Sequence, residues 1–399
     1  MKKVAFVGAS VRICAFALAI KEKYSSTHEL CAVMDVDKGK GKSFNEFLGV
    51  NMPYYGDFDQ MCEEAKPDLL LISTVDYYHC EYILKALAKN IPFICEKPLC
   101  VNIEQCREIV EAVEKTPDVF AATSHNARYH IAARTVKKLL DEGAIGKINS
   151  VDYAEMLDFD HGSSYFHRWN SRKKLSGGLQ IHKSSHHFDK INWWISSRVK
   201  SLSAYGGLKA YGAAASPFHG EKCCTCEHKD ECRFAVNYKN TNYINFDLYM
   251  NNKSEGSYLP DLCVFSPDVD IEDFLSVGMK YENGVYANYT LAAHCNYEGE
   301  TIIFEGDKGR IEMTRRRIAG KNSSKVMLFR FGMEPEEMKY EAEAGTHGGA
   351  DNKLFEDLFG DENSGKLATL EDGIQAVLTG IAVNEALKTG ETIDVQELL

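Results

Sequence analysis

No uncharged apolar stretch of this 399-residue chain reaches the ~18 residues that a membrane span requires. Nor is there a surplus of positive charge: 46 lysines and arginines stand against 58 aspartates and glutamates, a formal net charge of -12. Nucleic acid and an anionic membrane surface are therefore not expected as partners. A secretory leader is not expected either. Lys2 and Lys3 precede apolar residues and Ala17-Leu18-Ala19 imitates a cleavage site, but Ser10 and Arg12 interrupt the apolar stretch between them. The thirteen cysteines form no regular framework; Cys14, Cys31 and Cys95 lie inside apolar runs, as reduced, buried thiols of a cytoplasmic protein do. What is present, 44% hydrophobic and 26% charged residues, describes a globular chain long enough for about two domains.

The first third alternates. Val4 to Val7, Leu30 to Met34, Leu69 to Ile72, Ile91 to Ile94 and Val119 to Ala122 read as short apolar strands. Between them Ile13 to Ile20, Tyr82 to Ala88 and Ile103 to Val113 have helical length or spacing. Continuous apolar strands alternating with helices predict a parallel sheet covered on both faces. Ligands of such sheets bind beyond the carboxyl ends of the strands. Those ends carry Gly8-Ala9-Ser10, Asp35, Ser73-Thr74, Glu96-Lys97-Pro98 and His125-Asn126, a polar set on an apolar scaffold.

Gly8 follows the first strand and opens a helix, where a pyrophosphate would meet free backbone N–H groups. The full G-x-G-x-x-G is eroded, with Ser10 at the second glycine and Ile13 at the third. Asp35 ends the second strand, where a carboxylate binds ribose hydroxyls and repels a 2′-phosphate, which favours NAD over NADP. The bland alternative for Asp35 is a strand-end turn shared with Asp37.

After Asn126 the pattern changes. Ala132 to Leu140 reads as a helix, and Ile148 to Met156, Val285 to Ala293, Thr301 to Phe304 and Val326 to Phe331 as strands; a long helix, Glu371 to Lys388, closes the chain. Few crossover helices separate these strands, so an α+β domain with a largely antiparallel open sheet is expected. The predicted division is 1–125 and 126–399. The densest chemistry is "GGLQIHKSSHHFDKINWW", residues 177–194. Lys183 and His186, three apart, share a face of a helix, and two such cations would lower each other's pKa and keep an imidazole neutral. Zinc through His182 and His186 is opposed by the charge of Lys183 between them.

Together these pieces resemble the glucose-fructose oxidoreductase/inositol dehydrogenase (Gfo/Idh/MocA) family over nearly the whole chain. The residues that carry the resemblance are the Gly8 turn, Asp35, Ser73-Thr74 with His79, Glu96-Lys97-Pro98, and Asn126, Arg128 and Tyr129. Gly177-Gly178, His186, Asp189 and "TLEDGIQAVLTGIAVNEALKTG" continue it. The resemblance implies a Rossmann domain that binds NAD through Gly8, Ser10, Arg12, Asp35, Ser73, Thr74, His79, Glu96, Lys97 and Asn126. It also implies that Lys97 lies beside the nicotinamide and holds the substrate hydroxyl, while His186, three before Asp189, is the acid/base. Where many members have an aspartate four before that histidine, this chain has His182 followed by Lys183, so the aspartate's role is not carried over. Pairing of subunits through the open sheet, in a homodimer or homotetramer, is a further implication.

Two stretches add to this reading. "SYFHRWN", residues 164–170, offers Tyr165, Arg168 and Trp169 to a sugar ring, or to plain core packing. "CCTCEHKDEC" sets Cys223, Cys224, Cys226, His228 and Cys232 in a hydrophilic insertion that suits either structural zinc or free thiols. The expected activity is NAD-dependent oxidation of a secondary hydroxyl on a sugar, glycoside or cyclitol, with Lys97, His186 and Lys183 catalytic. Substrate contacts fall to Lys97, Tyr165, Arg168, Trp169, His182, Lys183 and His186. An NAD-retaining glycosidase working through a transient keto-sugar, and a non-catalytic sugar sensor, are the rivals.

Overall fold

The computed structural model describes residues 1–236, 258–360 and 364–399. They divide into two compact units. One holds Met1–His125, Asn352–Ile374 and the described residues of Ala235–Asp261; the other holds Asn126–Phe234, Leu262–Asp351 and Gln375–Leu399.

The first unit is built on β1 (Lys2–Val7), β2 (His28–Met34), β3 (Tyr54–Tyr55), β4 (Leu69–Ile72), β5 (Phe93–Cys95) and β6 (Ala121–Thr123). Their order is β6-β5-β4-β1-β2-β3, all parallel. Val4 to Val7, Leu70 to Ile72 and Phe93 to Cys95 are buried, as strands covered by helices on both faces must be. The helices are Val11–Lys23, Lys38–Leu48, Phe58–Ala65, His79–Ala88 and Ile103–Lys115. Lys38–Leu48 and Phe58–Ala65 escaped the sequence reading. The first opens on Lys-Gly-Lys-Gly-Lys and has little apolar stripe, and it is started by the Asp37 side chain accepting from Gly39 and Lys40 N–H. Late in the chain Ala368–Thr369 returns as an antiparallel strand on β6. Phe355 and Phe359, from helix Ala350–Phe359, pack against Phe16 with ring centroids 4.9 and 6.5 Å away.

The second unit is a nine-stranded sheet. Its main strands are β7 (Ile148–Asp158), β8 (Val199–Gly207), β9 (Phe274–Tyr281), β10 (Tyr286–Cys295), β11 (Glu298–Gly306), β12 (Gly309–Ile318) and β13 (Lys321–Arg330). The order is β13-β12-β11-β7-β10-β9-β8, with Glu336–Glu337 and Ile393–Asp394 as short outer strands. Only the β7/β10 pairing is parallel among these described strands. Strict alternation of buried and exposed residues along β9 and β10 gives the sheet one covered and one open face. Helix Ser185–Ile195 lies on the covered face through Phe188, Ile191 and Trp194, with Trp194 edge-on to Phe304 of β11 at 5.3 Å. Deleting such a buried indole costs on the order of 3–5 kcal/mol. The long helix is Leu370–Thr389. Its Asn384 donates to the Gly177 carbonyl (2.8 Å) and meets Gln180, which secures the turn at Gly177 and Gly178, both with positive φ.

Candidate active site

In the first unit the polar groups gather at the carboxyl ends of the strands. Gly8, at φ +92°, brings the β1 turn so close to β4 that a Cβ would overlap the Ser73 carbonyl oxygen. The glycine that survives erosion of the motif is thus the one the backbone needs. Ser10 caps helix Val11–Lys23, accepting from Ile13 N–H, and its hydroxyl lies 2.7 Å from that of Ser73. Arg12 donates from Nε to Glu96 (2.9 Å), joining the glycine turn to the end of β5. Asp35 accepts from Ala9 N–H (2.8 Å) and Asp37 N–H (2.9 Å), so it is both the strand-end turn residue and a carboxylate at the glycine turn. His79 is buried, which holds its imidazole below its ordinary pKa, and Nδ1 donates to the Pro98 carbonyl (2.7 Å). Thr74 donates from its hydroxyl to the Val75 carbonyl, and the half-buried Lys97 follows β5, joined to Pro98 by a cis peptide.

These groups suit a dinucleotide. A helix N-terminus without an acidic residue in its first turn faces the glycine turn, favourable to a pyrophosphate. Each Asp35 oxygen has a lone pair beyond its backbone bond, enough to accept from ribose hydroxyls.

In the second unit Asn126, expected among the cofactor residues, donates its amide to Asp351 (2.9 Å). Arg128 and Asp189 form a buried two-point ion pair (2.8 and 2.6 Å), so Asp189 ties the 126–129 segment to helix Ser185–Ile195. The structure brings Tyr165, Arg168, Trp169 and His182 into one cluster. Tyr165 and Trp169 meet the His182 ring edge-to-face at 5.5 and 5.6 Å, and the Arg168 guanidinium lies over Tyr165. His182 Nε2 is 3.1 Å from the Asn170 amide.

Lys183 corrects the sequence reading. It sits in the joint between the short helix Leu179–His182 and helix Ser185–Ile195, and its ammonium is 3.4 Å from Glu155 of β7. Burial alone would push Lys183 down; Tyr165, Glu155 and Glu298 reverse this, and the net direction is up. A permanent ammonium is therefore in place, not a weakened one. The imidazole held below its ordinary pKa is that of His187: burial lowers it, Glu155 opposes this, and Lys183 and Lys190 add to burial, so the net direction is down. His187 is enclosed, with Nδ1 2.8 Å from the Tyr289 hydroxyl and Nε2 3.5 Å from Glu155. His186 is only half-buried.

Behind this surface lies a buried polar layer that the sequence reading missed. Glu300 receives Lys190 (2.6 Å), Tyr153 (2.6 Å) and Arg315 (2.8 Å), while Ser184 and Tyr289 share a 2.8 Å hydrogen bond. Glu155 is pushed up by burial and brought back below its ordinary range by the Lys183 ammonium and the hydrogen bond from His187. One signal was available: along β7, Glu155 has the phase of Val151 and Tyr153, the buried one. The cysteines of the insertion form no disulfide, and Cys223 is buried with its sulfur 3.9 Å from His167 Nδ1. Among the described residues no three histidine, cysteine or acidic side chains converge as metal ligands. No helix among them is long and apolar enough to cross a membrane.

Two family models cover the chain: the NAD-binding Rossmann fold of the oxidoreductase family over residues 2–124, and that family's C-terminal alpha/beta domain over residues 137–395. The chain belongs to this oxidoreductase family. Its similarity to "Putative oxidoreductase YteT" of Bacillus subtilis (strain 168) is 32% identity, across 97% of this chain and 95% of that one. An inositol 2-dehydrogenase of Klebsiella pneumoniae (strain 342) is 31% identical over 115 residues, 29% of this chain and 34% of its own. The structure of scyllo-inositol dehydrogenase from Lactobacillus casei, with bound NAD(H) and scyllo-inositol, has the same fold (TM-score 0.67, 19% identity, 99% of both chains).

Proposed function

We propose that this family member is an NAD-dependent dehydrogenase that oxidises a secondary hydroxyl of a sugar, glycoside or cyclitol. The observation that carries the reading is the protonated Lys183 ammonium beside the Tyr165, Trp169 and His182 cluster, in a chain whose other unit presents Lys97 at the end of a nucleotide-binding strand. Gly8, Ser10 and the helix behind them would hold the pyrophosphate of NAD and Asp35 its ribose hydroxyls, and the bound nicotinamide would supply the acceptor for a hydride from the carbinol carbon. His186 takes the hydroxyl proton, and Lys97 and Lys183 stabilise the negative charge that develops on that oxygen. Tyr165, Arg168 and Trp169 supply aromatic and polar contacts for the ring. Relatives named inositol 2-dehydrogenase support a cyclitol or similar polyol as the substrate class.

The outer face of the second sheet, where Tyr205 and Tyr286 are 80% and 59% exposed, is assigned to a second copy of the chain in a homodimer or homotetramer. Light scattering of the purified protein tests that assignment, and a monomer overturns it.

The deciding experiment is a panel of sugars, glycosides and cyclitols incubated with NAD, following NADH and product mass together. NADH with a product two mass units lighter supports the dehydrogenase. Aglycone release without net NADH replaces it by the glycosidase, and binding without either product replaces it by a sensor.

A further inference from the structure

Glu155 of β7 and Glu300 of β11 stand directly opposite each other across an antiparallel pair, and Arg315 of β12 stands opposite Glu300 on its other side. Both carboxylates are buried, and like charges in facing positions repel. The compensating cations come from Arg315 and from the helical layer above. Positions 183, 187 and 190 step by four and three, the spacing of one helix face, and all three reach this row. The groups divide unequally. Glu300 takes Lys190 and Tyr153 on Oε2 (2.6 Å each) and Arg315 on Oε1 (2.8 Å). Glu155 meets Lys183 and His187 at the longer distances of 3.4 and 3.5 Å. Two cations thus crowd one carboxylate, and a single ammonium falls to the other. Lys190 and Arg315 also feel the charge of Glu155, and it is Glu300 that holds them to their own side.

We propose that Glu300 is a positioning residue for Lys183: by engaging Lys190 and Arg315 it keeps both cations away from Glu155, which then holds the Lys183 ammonium. The inference rests on the dehydrogenase reading for the task given to Lys183, and adds a residue that acts on the developing charge only through another. Lys183 faces Tyr165, Glu155, Glu298 and His187. Glu155 faces His187, Lys183 and Glu300, with the Tyr153 and Tyr289 hydroxyls beside it. Glu300 faces Lys190, Arg315 and Tyr153, and His130 at the start of helix Ile131–Asp141. In Glu300→Gln a neutral amide cannot hold two cations. Lys190 and Arg315 then turn their charge on Glu155, and Lys183 loses its proton more readily. In Lys190→Met one competing cation is gone, and Lys183 keeps its proton more firmly. Once Lys190 is removed, Glu300→Gln should matter little.

Acetylation of Lys183 by acetic anhydride at one fixed alkaline pH, followed by mass spectrometry of its peptide, reads this without substrate. Only the unprotonated amine reacts, and Lys183 is half-buried, within reach of a small reagent. Labelling should be about tenfold faster in Glu300→Gln, as the loss of one nearby countercharge implies. It should be slower in Lys190→Met and close to the natural rate in the double variant. Turnover on the best substrate of the panel should follow, low in Glu300→Gln and recovered in the double variant. A loosened fold would speed labelling in Lys190→Met as well, because a buried pair is broken from either side; that outcome overturns the proposal. An unchanged rate in Glu300→Gln overturns it too, as does a rise that is equally large with and without Lys190. If Glu300→Gln does not fold, Lys190→Met alone decides: slower labelling supports the proposal and faster labelling overturns it. If no polyol yields NADH, the dehydrogenase reading fails on its own, and the labelling rates still decide whether Glu300 governs Lys183.

Discussion

The Glu155 carboxylate lies 3.4 Å from the Lys183 ammonium and 3.5 Å from His187 Nε2, so one buried acid serves a charged neighbour and a neutral one. Because burial alone would lower Lys183, its charge depends on such partners. Glu155→Gln keeps the shape and removes the charge. Turnover should fall, and the alkaline limb of the pH–rate profile should move to lower pH as Lys183 loses its proton more readily. A profile that keeps its shape while folding is intact would release Glu155 from this positioning role.

Lys97→Ala and His186→Ala are each expected to cut turnover by roughly 10²–10⁴, the usual worth of a positioned acid/base or charge-stabilising group. NAD affinity, read by calorimetry, should change little in His186→Ala. If that variant keeps near-normal turnover, His182 is the next candidate base. His187 is not, because its ring is spent on Tyr289 and Glu155.

Asp35 should set the cofactor preference. NAD is expected to bind at least several-fold tighter than NADP, since a carboxylate attracts ribose hydroxyls and repels a 2′-phosphate. Asp35→Ala should narrow the gap and also weaken NAD, because the Ala9 and Asp37 N–H groups lose their acceptor. Equal affinities in the natural chain would remove Asp35 from the ribose site.

Acid should weaken the second unit in two stages. Burial lowers His187, and burial with the Arg315 charge lowers His130 to about 3. Both rings bind protons better in the unfolded chain, so their contribution is whole above the ordinary histidine pKa of ~6.5 and drains as the pH falls below it. Glu155, held below the ordinary carboxylate range in the folded chain by the Lys183 ammonium, contributes fully above the unfolded value of ~4.3 and loses that contribution as the pH falls below it. Thermal melts should therefore show Tm falling between pH 7 and 5 and falling again below pH 4. A Tm that is flat from pH 7 to 5 would contradict the first stage.

The parallel sheet was legible because its strands are short continuous apolar runs, and Leu69–Ile72 falls where the pattern put it. Gly8, Asp35 and Glu96-Lys97-Pro98 were legible because a doubly wound sheet reserves those strand ends for ligands. The charged layer was not. Glu155, Lys190 and Glu300 look like solvent-facing residues in a linear sequence, and only pairing across β7, β11 and helix Ser185–Ile195 makes their burial tolerable. The state of Lys183 was misjudged because its nearest charge in sequence is a histidine, while its nearest charge in space is Glu155.

The late return of the chain to the first sheet has a practical consequence. A polypeptide cut after residue 125 would keep six parallel strands but lose Ala368–Thr369 from β6, leaving that strand's N–H and C=O groups as an open edge. It would also lose Phe355 and Phe359, uncovering Phe16. An unpaired edge beside bare aromatic surface is a recipe for self-association. The nucleotide-binding half should therefore aggregate when expressed as that fragment. It should become soluble only when a peptide spanning about residues 350–374 is supplied, in trans or through a short graft.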